Sequence, residues 1–190
     1  DVIRDGAFVA GASSMGALRA AECWPAGMAG IGTIYRLFRR GILRSDDEVA
    51  VVFSPEVADR ALSVPLINIR YALRRAVQSG RIPREDALRI AHAAESSYYT
   101  ERTWPEVLAR GGCRDESGKL RAWLSGHDLK RADAVRALQA LSRWTAADPS
   151  LLSRPRRSRS PFVTSEESRE RDHDALGGAA RSLAQRDLAR

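Results

Sequence analysis

The chain has 190 residues, a formal net charge of +7 and an isoelectric point near 10.2. It is 44% hydrophobic, enough for a core over most of one domain. No apolar stretch reaches the ~18 residues of a membrane helix, no secretory signal occurs, and two distant cysteines, Cys23 and Cys113, exclude a disulfide framework. These features predict a soluble, cytoplasmic protein with reduced thiols. Its mostly arginine basicity favours acidic partners, although an arginine-rich composition also follows from a GC-rich genome.

In chain order, residues 1–6 read as the end of a helix with Gly6 at its C-cap. The apolar run Ala7-Phe8-Val9-Ala10 predicts a strand. A small-residue turn, Gly11 to Gly16, follows, and residues 13–22 read as a helix with Leu18 and Ala21 inward and Arg19 and Glu22 outward. Trp24-Pro25-Ala26-Gly27 breaks it. Ile31, Ile34, Tyr35, Leu37 and Phe38 recur at helical spacing up to Gly41. Ser45-Asp46-Asp47 is a turn, and the valine-rich residues 48–53 predict a strand. Residues 62–79 read as a helix stopped by Gly80, and Pro83 opens another that runs to about residue 98. Thr103 N-caps a further helix with Pro105 and Glu106 in its first turn. Residues 119–144 hold one or two helices interrupted at Gly126 and Asp128, with Leu120, Trp123, Leu124, Leu138 and Leu141 as core candidates.

After Pro149 the composition changes. Residues 154–161 (RPRRSRSP) are too poor in apolar side chains to offset chain entropy. Residues 150–174 read as disordered and 175–190 as a weak helix. Nine arginines against six acidic residues leave this tail at about +3, a solvated extension or a nucleic-acid contact. The organisation predicted is therefore a core over 1–148 and a tail over 149–190.

The chemistry concentrates at Gly11–Gly16. A strand entering a small-residue turn and leaving as a helix lifts a serine hydroxyl beside backbone N–H groups at a helix N-terminus, which favour developing negative charge. Ser14 is the first nucleophile candidate and Ser13 the second. The alternatives are a serine that only N-caps the helix and small residues that only allow close packing. The spacing G-x-x-S-x-G is also one residue off the usual nucleophile elbow.

A serine nucleophile needs a base. Of the histidines, His173 lies in the tail, His92 on a helix among apolar neighbours and His127 in a turn, so no triad emerges. Arg19 and Glu22, at i,i+3, read as a surface ion pair or an anion anchor. Asn68 and Arg70, two apart on a helix, do not share a face. Asp46, Asp47 and Glu48 read as a capping or solvated turn rather than a metal site, and Cys23 reads as packed rather than persulfide-forming. No zinc pattern, P-loop or dinucleotide fingerprint occurs, so no metal or cofactor is expected.

The stretch GASSMGALRAAE (residues 11–22) resembles the signature of the TfuA-like family. Further segments agree in order: Gly27-Met28-Ala29-Gly30-Ile31-Gly32 with Tyr35, Asp46-Asp47-Glu48-Val49-Ala50, the run from Leu62 to Arg70, Glu101-Arg102-Thr103-Trp104, and Asp128-Leu129-Lys130-Arg131-Ala132-Asp133-Ala134. The resemblance covers about residues 5–145. It implies an α/β fold, the remnant of a Rossmann-like parallel sheet followed by a mainly helical region. It also implies family strands and a His-Lys-Glu stretch upstream of residue 1, so the chain reads as an N-terminally truncated piece.

In function, the resemblance implies an accessory protein of ATP-dependent peptide backbone thioamidation. It would aid sulfur supply or release beside a YcaO-type enzyme, with a ubiquitin-like sulfur-carrier protein as a further partner and a ribosomal precursor peptide engaged indirectly. Ser14 and Ser13 would be catalytic, and Arg19, Glu22, Asn68 and Arg70 would bind substrate or anion. The alternatives are a non-catalytic docking module for the YcaO-type enzyme and a basic nucleic-acid-binding protein, for which the sequence carries no recognition motif.

Overall fold

The computed structural model describes residues 2–3, 7–54, 56 and 61–147. The expectations for Gly6 and for the tail from residue 149 onward lie outside these. The chain divides into two units, Asp1–Arg44 with Lys130–Arg190, and Ser45–Leu129.

In the first unit, strand β1 (Ala10–Ala12) pairs in parallel with β2 (Ala29–Ile31), with Gly11 opposite Gly30. A parallel pair needs a crossover, and helix α1 (Met15–Cys23) supplies it. A 3-10 turn (Trp24–Ala26) and Gly27 at φ +101 return the chain to the sheet. The fold is thus α/β, as expected, but two readings change. The residues of α1 that are fully buried are Ala17 and Ala20, while Leu18 and Ala21 are only half-buried. The small side chains face the strands because the helix packs too closely for a leucine there.

Ile31, expected on a helix, instead lies in β2. Glycines decide this. A Cβ on Gly30 would fall 2.0 Å from the Tyr35 ring, and Gly32 sits at φ +98, a conformation that ends the strand before helix α2 (Thr33–Arg39). Helix α7 (Leu129–Ala147) belongs to this unit from Lys130 onward and buries Asp133 and Ala137. Leu138, expected in the core, is 66% exposed, because the helix turns its Asp133–Ala137 side inward instead.

The second unit is helical: α3 (Leu66–Gln78), α4 (Arg84–Glu95), α5 (Trp104–Arg110) and α6 (Lys119–Ser125). Their core is aliphatic, centred on Ile69, Leu73, Ile90, Val107 and Leu124, with Trp104. Each such side chain contributes roughly 1.5–3 kcal/mol on burial. Thr103 caps α5 as expected, its Oγ1 accepting from Glu106 N. Helix α3 starts four residues later than its apolar pattern because Pro65 holds an extended conformation and the residue before a proline avoids the helical region.

Residues 48–53 do not form the expected strand. Asp46–Glu48 is a 3-10 turn, and beyond it only Phe53 makes a β-bridge, to Ala61. Val52 N donates instead to Ser63 Oγ. The valines have no second strand beside them among the described residues, and β-propensity alone does not make a sheet.

Candidate functional site

At the end of β1 the backbone turns sharply. Ser13 adopts φ +68, the one left-handed non-glycine residue among those described. This region costs an L-residue about 1–2 kcal/mol. Ser14 follows in an irregular conformation (φ −124, ψ −128) and starts α1, its carbonyl accepting from Ala17 N at 2.9 Å. The turn depends on Gly11 lacking a side chain: a Cβ there would lie 2.0 Å from the Gly16 carbonyl oxygen, whereas one on Gly16 would come no nearer than 3.6 Å to Gly11.

Both serines are half-buried, and Ser14 makes no side-chain cap to α1. Ser13 Oγ donates to the Lys130 carbonyl at 2.7 Å, which ties the turn to the start of α7. The geometry is a strand, a strained serine turn and a helix N-terminus, whose first N–H groups lack intrahelical partners.

Arg19 and Glu22 pair with each other at 2.6 Å on the exposed side of α1. Such a surface pair contributes only a few tenths of a kcal/mol. On the other edge of this unit, Asp133, 0% exposed, caps α2. Its Oδ2 accepts from Ile34 N at 2.7 Å and its Oδ1 from Arg136 at 2.9 Å. A Cβ on Gly32 would fall 2.5 Å from this carboxylate.

In the second unit the polar residues interlock. Asn68 is buried and donates through Nδ2 to Asp128 Oδ1 at 2.8 Å, just before α7. Arg70 lies between two carboxylates, Glu95 at 2.7 Å and Glu48 at 3.2 Å. Burial pushes the Glu48 carboxyl above the usual carboxylate range, and Arg70 opposes that shift. Glu48 Oε2 and Arg70 Nε are buried without a hydrogen-bond partner. Arg102, 2% exposed, donates to Asp47 Oδ2 at 2.6 Å, to the Asp47 carbonyl and to the Ala94 carbonyl.

His127 stacks on Trp123, with ring centroids 3.9 Å apart, and its Nδ1 meets the Trp123 carbonyl, while His92 is exposed on α4. Burial raises the Cys113 thiol pKa, and Cys23 is half-buried. No group of three or more His, Cys, Asp or Glu among the described residues is placed to hold a metal ion.

Ser13 and Ser14 therefore share one turn, Arg19 and Glu22 one ion pair, and Asn68 and Arg70 separate contacts in the helical unit. Asp133 and Arg102 were not among the sequence candidates, and Asp47 and Glu48, expected in a capping or solvated turn, instead pair with Arg102 and Arg70. Each lies inside a segment that carries the family resemblance, but separations of 99 residues (Ile34 to Asp133) and 55 (Asp47 to Arg102) hide their pairing.

Fold and junction together define an α/β protein built on a β-α-β unit with a serine at a strained strand-to-helix turn. A family model described as "TfuA-like protein" matches residues 1–103. The chain belongs to the TfuA-like family. No curated protein matches it. Among the described residues no helix is long and apolar enough to cross a membrane.

Proposed function

We propose that the protein is an accessory factor in ATP-dependent peptide backbone thioamidation, working with a YcaO-type enzyme and aiding sulfur supply or release. The observation that supports this most is the left-handed Ser13 between β1 and α1, inside the stretch that carries the family signature. Backbone strain persists where surrounding structure over-determines it, and it clusters at functional turns.

In this reading Ser14, or Ser13, attacks the acyl carbonyl of a sulfur-carrier conjugate. An Oγ–C bond forms, the C–S bond of the carrier's thiocarboxylate breaks, and the sulfur leaves as hydrosulfide carrying the serine hydroxyl proton. Water then releases the acyl group from the serine. Backbone N–H groups at the start of α1 stabilise the oxyanion. For Ser13 the Lys130 carbonyl holds the hydroxyl proton and fixes the rotamer. Arg19 exchanges Glu22 for a substrate carboxylate or phosphate, and Asn68 and Arg70 act as polar anchors of the helical unit.

Reconstitution with a purified YcaO-type enzyme, its precursor peptide, ATP and a ubiquitin-like sulfur-carrier protein or sulfide tests this. The protein is expected to raise the thioamidation rate, and Ser14→Ala and Ser13→Ala identify the nucleophile. Absence of stimulation with either sulfur source overturns the accessory role.

A second reading, a non-catalytic docking module for the same enzyme, draws on one observation. No histidine lies among the described residues of the first unit, so none of those residues supplies an imidazole base to the serine turn. Full stimulation by both alanine variants favours this reading.

A further inference from the structure

The two strands of the first unit end side by side. Ala12 pairs with Ile31, so Ser13 and Gly32 leave the sheet at the same edge, and both take positive φ, +68 and +98. Helix α7 meets both exits. The Lys130 carbonyl, in its first turn, accepts from Ser13 Oγ at 2.7 Å, and the Asp133 carboxylate, three residues on, accepts from Ile34 N at 2.7 Å. Capping α2 does not by itself require this second contact. A helix N-terminus is ordinarily capped by Ser, Thr, Asn or Asp at the preceding position. Here that position is Gly32, and the cap comes instead from 99 residues away, as a carboxylate at 0% exposure. A buried charge is unfavourable unless it is fully bonded. The surroundings are built to bond it: Arg136 donates both to its Oδ1 and, at 3.3 Å, to Thr33 Oγ1. Gly32 leaves it room, since a Cβ there would fall 2.5 Å from the carboxylate.

We propose that Asp133 is a positioning residue for the serine turn: by fixing α7 against the start of α2, it sets the Lys130 carbonyl that holds the Ser13 hydroxyl. A local cap on α2 would satisfy Ile34 N equally well but would leave α7 free to move. The remote cap ties the two helices together through Asp133 and Arg136. The tolerance is small. An O–H···O bond spans about 2.5–3.0 Å, so sliding α7 by one residue's rise, about 1.5 Å, takes the acceptor out of reach of Ser13 Oγ. The left-handed Ser13 is thus held from the strand side by Gly11 and from the helix side by a carbonyl whose place depends on Asp133. The proposal deepens the serine reading and rests on it for its functional weight, whereas the link from Asp133 to the turn can be measured without any activity.

The test is amide hydrogen exchange by NMR on the full chain, read at Ser14 N, which donates to the Ala12 carbonyl inside the turn. Asp133→Ala should speed exchange at Ser14 on the order of tenfold, with the amides of α4 in the second unit unchanged. Asp133→Asn, whose amide oxygen can still accept from Ile34 N, should restore most of the protection. Arg136→Ala, a half-exposed truncation, removes the second tie between the helices and should speed exchange at Ser14 about threefold, so it decides the matter if Asp133→Ala does not fold. In a Ser13→Ala background, Asp133→Ala should add nothing at Ser14, because the route through Lys130 is already cut. The proposal is overturned if exchange rises at Ile34 but not at Ser14, which would make Asp133 a cap of α2 only. It is equally overturned if Ser14 and the α4 amides rise alike, which is general unfolding, or if the effect survives in the Ser13→Ala background. In the thioamidation assay, Asp133→Ala should lower the maximal stimulated rate about tenfold without changing the concentration that gives half-maximal stimulation. A wild-type chain that gives no stimulation defeats the thioamidation reading and leaves the exchange result to decide this one.

Discussion

The two units of this chain are held by different physics. The first brings glycines into close contact with their neighbours: Gly11 on the Gly16 carbonyl, Gly30 under the Tyr35 ring, and Gly32 against the Asp133 carboxylate, with Ala17, Ala20 and Ala29 buried in the same unit beside a smaller apolar set, Ile34, Phe38 and Leu43. The second fills its interior with large aliphatic side chains and lays buried ionic contacts beside them. An interior of glycines and alanines fixes positions to tenths of an ångström but tolerates no added atom. An interior of leucines and isoleucines is more forgiving, because neighbouring side chains can shift to absorb a change. The candidate serine turn lies in the first kind of region, as a group held in a strained conformation requires.

That contrast can be broken most sharply at Gly11. Gly11→Ala places a Cβ against a carbonyl oxygen that cannot rotate away, and a loss of about 3 kcal/mol or more is expected in urea unfolding. Asp133→Ala should come next, at about 2–3 kcal/mol, because it leaves Ile34 N buried and unpaired and removes a partner of Arg136. The aliphatic unit should respond less: Ile90→Val, in the middle of its core, is expected to lose about 1 kcal/mol. A loss at Ile90 equal to that at Gly11 would erase the distinction.

Ser13 sharpens the comparison further. Ser13→Ala removes the bond to Lys130 and keeps the left-handed strain, whereas Ser13→Gly removes both. The glycine variant is expected to be more stable than the alanine variant by about 1 kcal/mol, measured by thermal melts of both. If thioamidation then falls in both variants alike, stability and activity have separated at this position.

The smallest expected effect is electrostatic. Burial raises the pKa of Glu48 in the folded state, so the folded chain holds this proton more tightly than the unfolded one. Stability from this group is therefore fully present below the usual glutamate value of about 4.3. It declines as pH rises through the higher folded value. Urea unfolding across this range should show wild type losing stability relative to Glu48→Gln as pH increases. A difference that is flat with pH would mean that Glu48 is not the titrating group.

The sequence by itself determined the β1–turn–α1 junction, the cap at Thr103 and the helical character of α3 to α6. These are local matters: small residues between an apolar run and a helical pattern, although the strand itself is Ala10–Ala12 and not residues 7–10 as expected, a threonine three residues before a backbone donor, apolar side chains at helical spacing. It also carried the family, because ordered motifs survive without knowledge of their contacts. Only the tertiary structure decided that Ala29–Ile31 is a strand, since two residues of its three have no distinctive side chain and its pairing depends on β1 lying 19 residues earlier in register. Only it decided that residues 48–53 are not a strand, because no partner strand lies beside them among the described residues, and that Leu138 faces solvent, because the buried side of α7 is chosen by Asp133 reaching Ile34. The polar contacts of the candidate site follow the same rule. Residue types can be read along the chain, but which carboxylate meets which arginine is fixed by distances in space, and those depend on how the folded chain brings remote segments together.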